Sequence, residues 1–165
     1  MQTGSDIARR LKLEPVPDEG GSFARLYTAE AKTGNRPAAS SIVYLLRSRE
    51  ISRWHKLKCD EVWMYHEGSS AVQLLLFPDG KCEERRIGPD IRNGEQLQSI
   101  VPAGVWQSTV LTRREDDCWG LFGTVCIPGF TYDAYCGGEI ADLVKNYPEA
   151  AERIRCFGET FHKTE

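Results

Sequence analysis

The chain has 165 residues, 24 of them acidic and 21 basic, which gives a formal net charge of −3 and a pI near 5.7. Apolar residues at 41% together with 15 glycines suit one globular domain over residues 1–165 and argue against disorder. The only dense cationic cluster, Arg113-Arg114, is followed at once by Glu115-Asp116-Asp117, so no basic stripe exists for a nucleic-acid polymer. The longest apolar run, 72–77, is interrupted by Gln73 and falls far short of the roughly 18 residues of a membrane span. The opening MQTGSDIARR has no apolar signal core, which predicts a cytoplasmic protein. In a reducing compartment the six cysteines are expected to be thiols, and no CxxC spacing points to zinc or a redox couple.

Along the chain, Ser5 can cap a short helix reaching Leu11, and Pro15, Pro17, Gly20 and Gly21 then break it. From residue 22 the hydrophobic period changes to two. Strands are predicted over 22–28, 41–47, 52–57, 61–66, 71–77, 82–87, 96–101, 106–112, 119–127 and 131–135. Turn residues separate them, among them Gly34-Asn35, Pro78-Asp79-Gly80, Asn93-Gly94 and Pro128-Gly129. Helical spacing returns over 139–145 and 149–154. Ten short strands without intervening helices predict an all-β antiparallel sandwich or barrel with short helices at both ends.

Of three histidines, His55 lies in Trp54-His-Lys-Leu-Lys-Cys-Asp-Glu61, which reads as strand, tight turn and strand. Period two puts His55 and Leu57 on one face, and Glu61, Trp63 and Tyr65 on one face of the partner strand. A histidine and a carboxylate then meet across neighbouring strands. Inside a barrel they form a polar pair in an apolar cavity; on an exposed hairpin they are an ion pair without further consequence.

These residues carry a resemblance. The run from His55 to Gly68 resembles the first cupin motif, with His55, Glu61 and Gly68 in place and Leu57 where a second histidine belongs. Pro102-Ala-Gly104-Val-Trp-Gln107 resembles the second motif, with Gln107 at the histidine position and Leu111 replacing the usual asparagine. A closer likeness is to a small cupin family of unknown function. It is carried by PDEGGSFAR (17–25), SIVYLL (41–46), Trp54-His55 with Asp60-Glu-Val-Trp63, QSIVPAGVW (98–106) and TVCIPGF (124–130). The resemblance implies a jelly-roll double-stranded β-helix, usually a homodimer, with a cavity open at one end. Members are likened to sugar-nucleotide epimerases, and the family has no established activity.

One imidazole, one carboxylate and one amide are few ligands for a transition metal. His55, Glu61 and Gln107 therefore allow at most a weakly bound divalent ion, and no cofactor is certain. His66 has the parity opposite to Glu61 and is expected to point outward, while His162 lies in the tail. Arg25 and Arg47 can clamp a phosphate or carboxylate at a cavity mouth, or be ordinary surface arginines. Trp63 and Tyr65 can stack on a sugar or base, or pack the core. Trp54 and Trp106, of the other parity, are candidates to cover an outer face in a homodimer.

Two functional readings stay open. In the first, the cavity binds a small polar molecule, a sugar or nucleotide-sugar, and isomerises it. His55 is then the base, Glu61 its orienting partner, and Gln107 and Tyr44 donors to the enolate oxygen. In the second, the same residues satisfy one another in a ligand-binding or dimeric scaffold. A metal-dependent isomerase or oxygenase needs more ligands than the chain offers.

Overall fold

In the computed structural model, which describes residues 3–158, thirteen strands make two facing sheets and a small ribbon. The first sheet runs in the order β1 (Glu14–Pro15), β2 (Ser22–Thr28), β5 (Ser40–Arg47), β12 (Trp119–Ile127), β7 (Asp60–Gly68), β10 (Gln98–Val101). The second runs β13 (Tyr135–Gly137), β6 (Ile51–Leu57), β11 (Trp106–Leu111), β8 (Ala71–Leu76), β9 (Cys82–Ile87). β3 (Lys32–Thr33) and β4 (Arg36–Pro37) form the ribbon around the Gly34-Asn35 turn. Every ladder between named strands is antiparallel, and chain neighbours repeatedly fall in opposite sheets, as in a jelly roll.

The expected strands recur with small boundary shifts, except at 131–135. There Tyr132–Ala134 form a 3₁₀ turn and the strand starts at Tyr135. The first helix, α1 (Gly4–Arg10), is capped by Thr3 rather than Ser5. The Thr3 hydroxyl accepts from the Asp6 amide at 3.2 Å and the Asp6 carboxylate accepts from the Thr3 amide at 3.2 Å. This reciprocal pair satisfies two end donors where Ser5 would satisfy one.

Inside the barrel, one end is filled. Tyr44, Leu46, Trp63, Leu75, Phe122 and their neighbours form a continuous core with almost no exposure. A second core lies outside the five-stranded sheet, where Ile51, Trp54, Leu74, Leu76 and Val110 are covered by Leu143 of α2 (Ile140–Asn146), by Ile154 of α3 (Ala151–Cys156) and by Phe157. Trp54 is buried to 2% exposure, and its indole N–H donates to the Ile154 carbonyl at 3.1 Å. Trp106 is half-buried under Lys56, whose ammonium lies 4.5 Å from the ring centre. The expectation that Trp54 awaits a partner subunit is thus corrected, because the chain's own C-terminal helices cover it, while Trp106 keeps part of its ring exposed beside Lys56. The local reason is that two short helices cannot hold themselves and must dock an apolar face. No helix among the described residues is long and apolar enough to cross a membrane. His66 is exposed, and His162 lies outside the described residues.

Replacing Trp54 by Ala should cost about 3–5 kcal/mol of unfolding free energy, because it empties the space under α3 and orphans the Ile154 carbonyl. The same change at Trp106 should cost clearly less, as urea denaturation of the two variants side by side would show.

Candidate functional site: a polar pair at the open end of the barrel

The other end of the barrel is not filled. It holds a cavity of about 110 Å³ walled by both sheets, by the 16–19 segment and by the 130–135 segment. Water needs only about 10–15 Å³, so the space accepts several waters or one small ring.

His55 and Glu61 reach it from opposite walls. Sequence spacing suggested a hairpin, but β6 and β7 do not pair: Lys58 and Cys59 form a corner between the two sheets. The two side chains therefore face each other across the barrel interior. β6 carries one extra residue against β11, because Gln107 pairs with His55 while Thr109 pairs with Ser52. This bulge turns both His55 and Ser52 inward although they are three apart, which a regular strand forbids. The Ser52 hydroxyl donates to Glu19 at 2.8 Å.

The imidazole is held on two sides. Its Nδ1–H donates to the Arg53 carbonyl at 2.7 Å, since a carbonyl can only accept. That choice of tautomer leaves Nε2 as the nitrogen available to the cavity. The ring stacks on Tyr135, with centroids 5.4 Å apart and planes 18° apart. Tyr135 is in place because β13 pairs with β6, Gly137 opposite His55.

Glu61 is 7% exposed, and its Oε2 accepts from Gln107 Nε2 at 2.8 Å and from the Trp63 indole N–H at 3.1 Å. Behind it a chain of donors runs in one direction. Gln73 donates to the Gln107 carbonyl oxygen at 3.4 Å, Ser99 to the Gln73 carbonyl oxygen at 2.7 Å, and Arg85 to Ser99 at 3.3 Å. Each bond polarises the next toward the carboxylate. Burial nevertheless pushes the Glu61 carboxyl above its ordinary value, and the Glu19 charge adds to this. The charge of His55 and the hydrogen bonds from Gln107 and Thr124 pull the other way. Tyr44 is raised well above an ordinary phenol, first by burial and then by Glu19. Its hydroxyl donates to the Gly20 carbonyl at 2.8 Å. That contact requires Gly21, whose φ is +73° and where a Cβ would lie 2.5 Å from the Tyr44 oxygen.

Of the side chains singled out by sequence, His55, Glu61, Tyr44, Arg25 and Trp63 line the cavity. Arg25 sits at the rim with its guanidinium 5.9 Å from the Phe130 ring centre. Three others need correction. Gln107 stands behind Glu61 and outside the cavity lining, with one amide N–H and its carbonyl engaged within the chain. Arg47 is ion-paired to Glu50 at 2.6 Å. It has the parity opposite to Tyr44 and lies roughly 20 Å along β5 from the cavity-lining Ser40. Tyr65 has the right parity but sits one inward position beyond Trp63, toward the filled end; its ring meets Phe122 and its hydroxyl donates to Gly68 at 2.8 Å. Sequence reasoning missed Ser52, Thr124, Cys126 and Tyr135 as site residues, and gave Glu19 no role beyond its place in the PDEGGSFAR run. The polar interruption at Gln73 in an apolar strand was the one local sign of the buried chain.

The donor set does not fit a tight transition-metal site. His55 is the only cavity imidazole, Gln107 is committed, and no group of three or more His, Cys, Asp or Glu among the described residues could hold an ion.

A jelly roll with its first-motif histidine and glutamate facing across an open end is a cupin. A family model described as Cupin superfamily (DUF985) matches residues 5–136, and the chain belongs to that family. It is 30% identical over 143 residues to an uncharacterized protein of Saccharomyces cerevisiae, covering 84% of this chain and 67% of the yeast protein. An X-ray structure of a Shewanella oneidensis protein is similar with a TM-score of 0.88 and 31% identity over 96% of this chain and 99% of that one. A hypothetical protein from Leishmania major is similar with a TM-score of 0.87 and 25% identity over 94% and 98%. Bacillus subtilis oxalate decarboxylase, in which Mn(II) centres are described, shares the fold alone: TM-score 0.57 at 16% identity, covering 96% of this chain and 39% of the enzyme.

Because the folded Glu61 carboxyl holds its proton more tightly than an unfolded one, this group's contribution to stability falls as pH rises from about 4.3 through its raised value. Glu61→Gln has no such proton to lose. The difference in unfolding free energy between the two proteins should therefore move toward the variant as pH rises from 4 to 8, then level off. Denaturation midpoints across that range check the sign; movement the other way means the three hydrogen bonds outweigh burial.

Proposed function

We propose that this cupin binds a small polar ligand of the sugar or nucleotide-sugar class at the open end of its barrel and isomerises it by proton transfer. The observation that carries this reading is the His55 ring, which is fixed through Nδ1 and Tyr135 and presents Nε2 to the cavity opposite a buried carboxylic acid. Nε2 is the base for a proton next to a carbonyl. The Tyr44 hydroxyl is engaged by Gly20 and the Gln107 amide, which has one N–H on Glu61, is no proton source, so the proton returned to the oxygen or carbon comes from Glu61, whose protonated form burial favours. Aromatic walls suit the apolar face of a sugar ring. A volume of about 110 Å³ holds one ring, and any phosphate or nucleotide then lies outside over the rim, where Arg25 is the cationic partner.

A non-catalytic binder is the second reading. It is favoured by the same completeness: Glu61 Oε2 already accepts two donors from its own chain.

Native mass spectrometry of protein purified from cells identifies the bound species. A panel of sugars and nucleotide-sugars in deuterated solvent then separates the readings. In the isomerase, His55→Ala and Glu61→Gln keep ligand binding while turnover and solvent exchange fall by on the order of a hundredfold or more. In the binder, no candidate exchanges and the same changes alter affinity alone. Chelator should leave the wild-type exchange rate unaltered; loss of exchange with chelator overturns the metal-free reading.

A further inference from the structure

A pair of thiols adjoins the cavity, apart from His55 and from any ligand. Cys126, one residue before the end of β12, lines the cavity, and Cys59 occupies the corner between β6 and β7. The β7–β12 ladder pairs Cys126 with Glu61. Cys59 stands two residues before Glu61, which makes it the diagonal neighbour of Cys126 on the inward face. Both are free thiols, 2% and 5% exposed, in one buried cluster with Leu57 against Phe130 and Tyr135.

Arg36 of β4 ties the two segments together. Its guanidinium donates to the Lys58 carbonyl at 3.0 Å, to Gly129 at 2.7 and 3.1 Å, and to Pro128 at 3.3 Å. Lys58 immediately precedes Cys59, and Pro128 and Gly129 follow Cys126 within three positions. A cation is thereby fixed at the thiol pair. Hydrogen bonds from Cys126 and Arg36, with the Arg36 charge, bring the Cys59 thiol from 9.0 down to about 7 in spite of burial. Cys126 moves the other way, raised by the same thiol contact and by burial, and keeps its proton. Cys59 is thereby the readier nucleophile and Cys126 its proton-holding neighbour.

We propose that Cys59 and Cys126, the second on the cavity wall and the first packed directly behind it, form a hydroperoxide-reactive dithiol that closes reversibly into a disulfide. The Cys59 thiolate attacks one peroxide oxygen and the O–O bond breaks, leaving Cys59 as a sulfenic acid and releasing water once the departing hydroxide takes a solvent proton. The Cys126 sulfur then attacks the sulfenic sulfur. The S–S bond forms, and the leaving hydroxide takes the Cys126 proton as water. The two thiols supply the electron pair that reduces the peroxide. Hydrogen peroxide is little larger than water and enters the cavity as far as Cys126, from which Cys59 is one side chain away, whereas larger oxidants meet the exposed Cys136 and Cys156 first. Diagonal Cα atoms lie about 7–8 Å apart in a sheet, and a disulfide needs about 5.5–6 Å. The ladder ends must therefore draw together by an ångström or two. Cys59 lies outside β7 and Cys126 at the end of β12, where little holds the strands apart.

The test uses the whole chain, reduced, exposed to graded hydrogen peroxide, then unfolded, alkylated and peptide-mapped without reduction. A peptide joining Cys59 to Cys126 should appear before half of Cys136 and Cys156 is oxidised and should vanish with dithiothreitol. Its rate of formation should rise with pH around a midpoint of about 7. In Cys126→Ser, dimedone should tag Cys59; in Cys59→Ser, Cys126 should stay reduced at the same dose. Oxidation of Cys136 and Cys156 with both inner thiols still alkylated overturns the proposal, and a dimedone tag on Cys126 in Cys59→Ser overturns the assignment of the nucleophile. If a serine variant fails to fold, the wild-type map decides alone.

Discussion

The hydrogen bond from Gln107 to Glu61 joins the two sheets through the middle of the barrel, and much of the site depends on it. A carboxyl removed from water costs several kcal/mol unless its lone pairs are met. Here Trp63 meets one oxygen from its own strand, and Gln107 meets it from the opposite sheet. Gln107 can do so only because Gln73 occupies its carbonyl oxygen, and Gln73 is oriented in turn by Ser99 and Thr109. Both amides are buried, so flipping Gln107 would set its carbonyl oxygen against the Glu61 carboxylate and its N–H against that of Gln73.

That chain also explains why the barrel is filled at one end and open at the other. The row of Tyr44, Trp63 and Phe122 closes the core with edge-on aromatic contacts of 5.4 and 5.8 Å. Past it, inward positions become Glu61, His55, Thr124 and Cys126, which cannot form a dry core. The 16–21 segment lies over this region rather than inside it. It is stitched to β6 by the Arg53 amide on the Glu19 carbonyl and to β5 by the Tyr44 hydroxyl on Gly20. The same stitching delivers the Glu19 carboxylate to the cavity, where its charge acts on both Glu61 and Tyr44.

The cavity therefore carries a mixed charge: Asp18, Glu19 and Glu61 against His55 and a rim arginine. Cys126 lies on the same wall with Cys59 behind it, and the β7–β12 ladder sets Cys126 directly opposite Glu61.

Much of this was legible in the chain itself. Period-two patterning placed most strands to within a residue or two, because side-chain alternation is a property of each strand alone. Spacing picked out His55 and Glu61, which the structure places on the cavity lining. Other features were beyond local reading. That β6 and β7 lie in different sheets, that a bulge turns Ser52 inward beside His55, and that α2 and α3 cover Trp54 all depend on which strands pair. Arg47 and Tyr65 show the same limit: parity states which face a side chain takes, but not how far along the barrel it lies. Glu19, Cys126 and Tyr135 reach the cavity from segments 36 to 80 positions from His55. Only closure of the two sheets brings them together, since burial and pairing are collective properties of the folded chain.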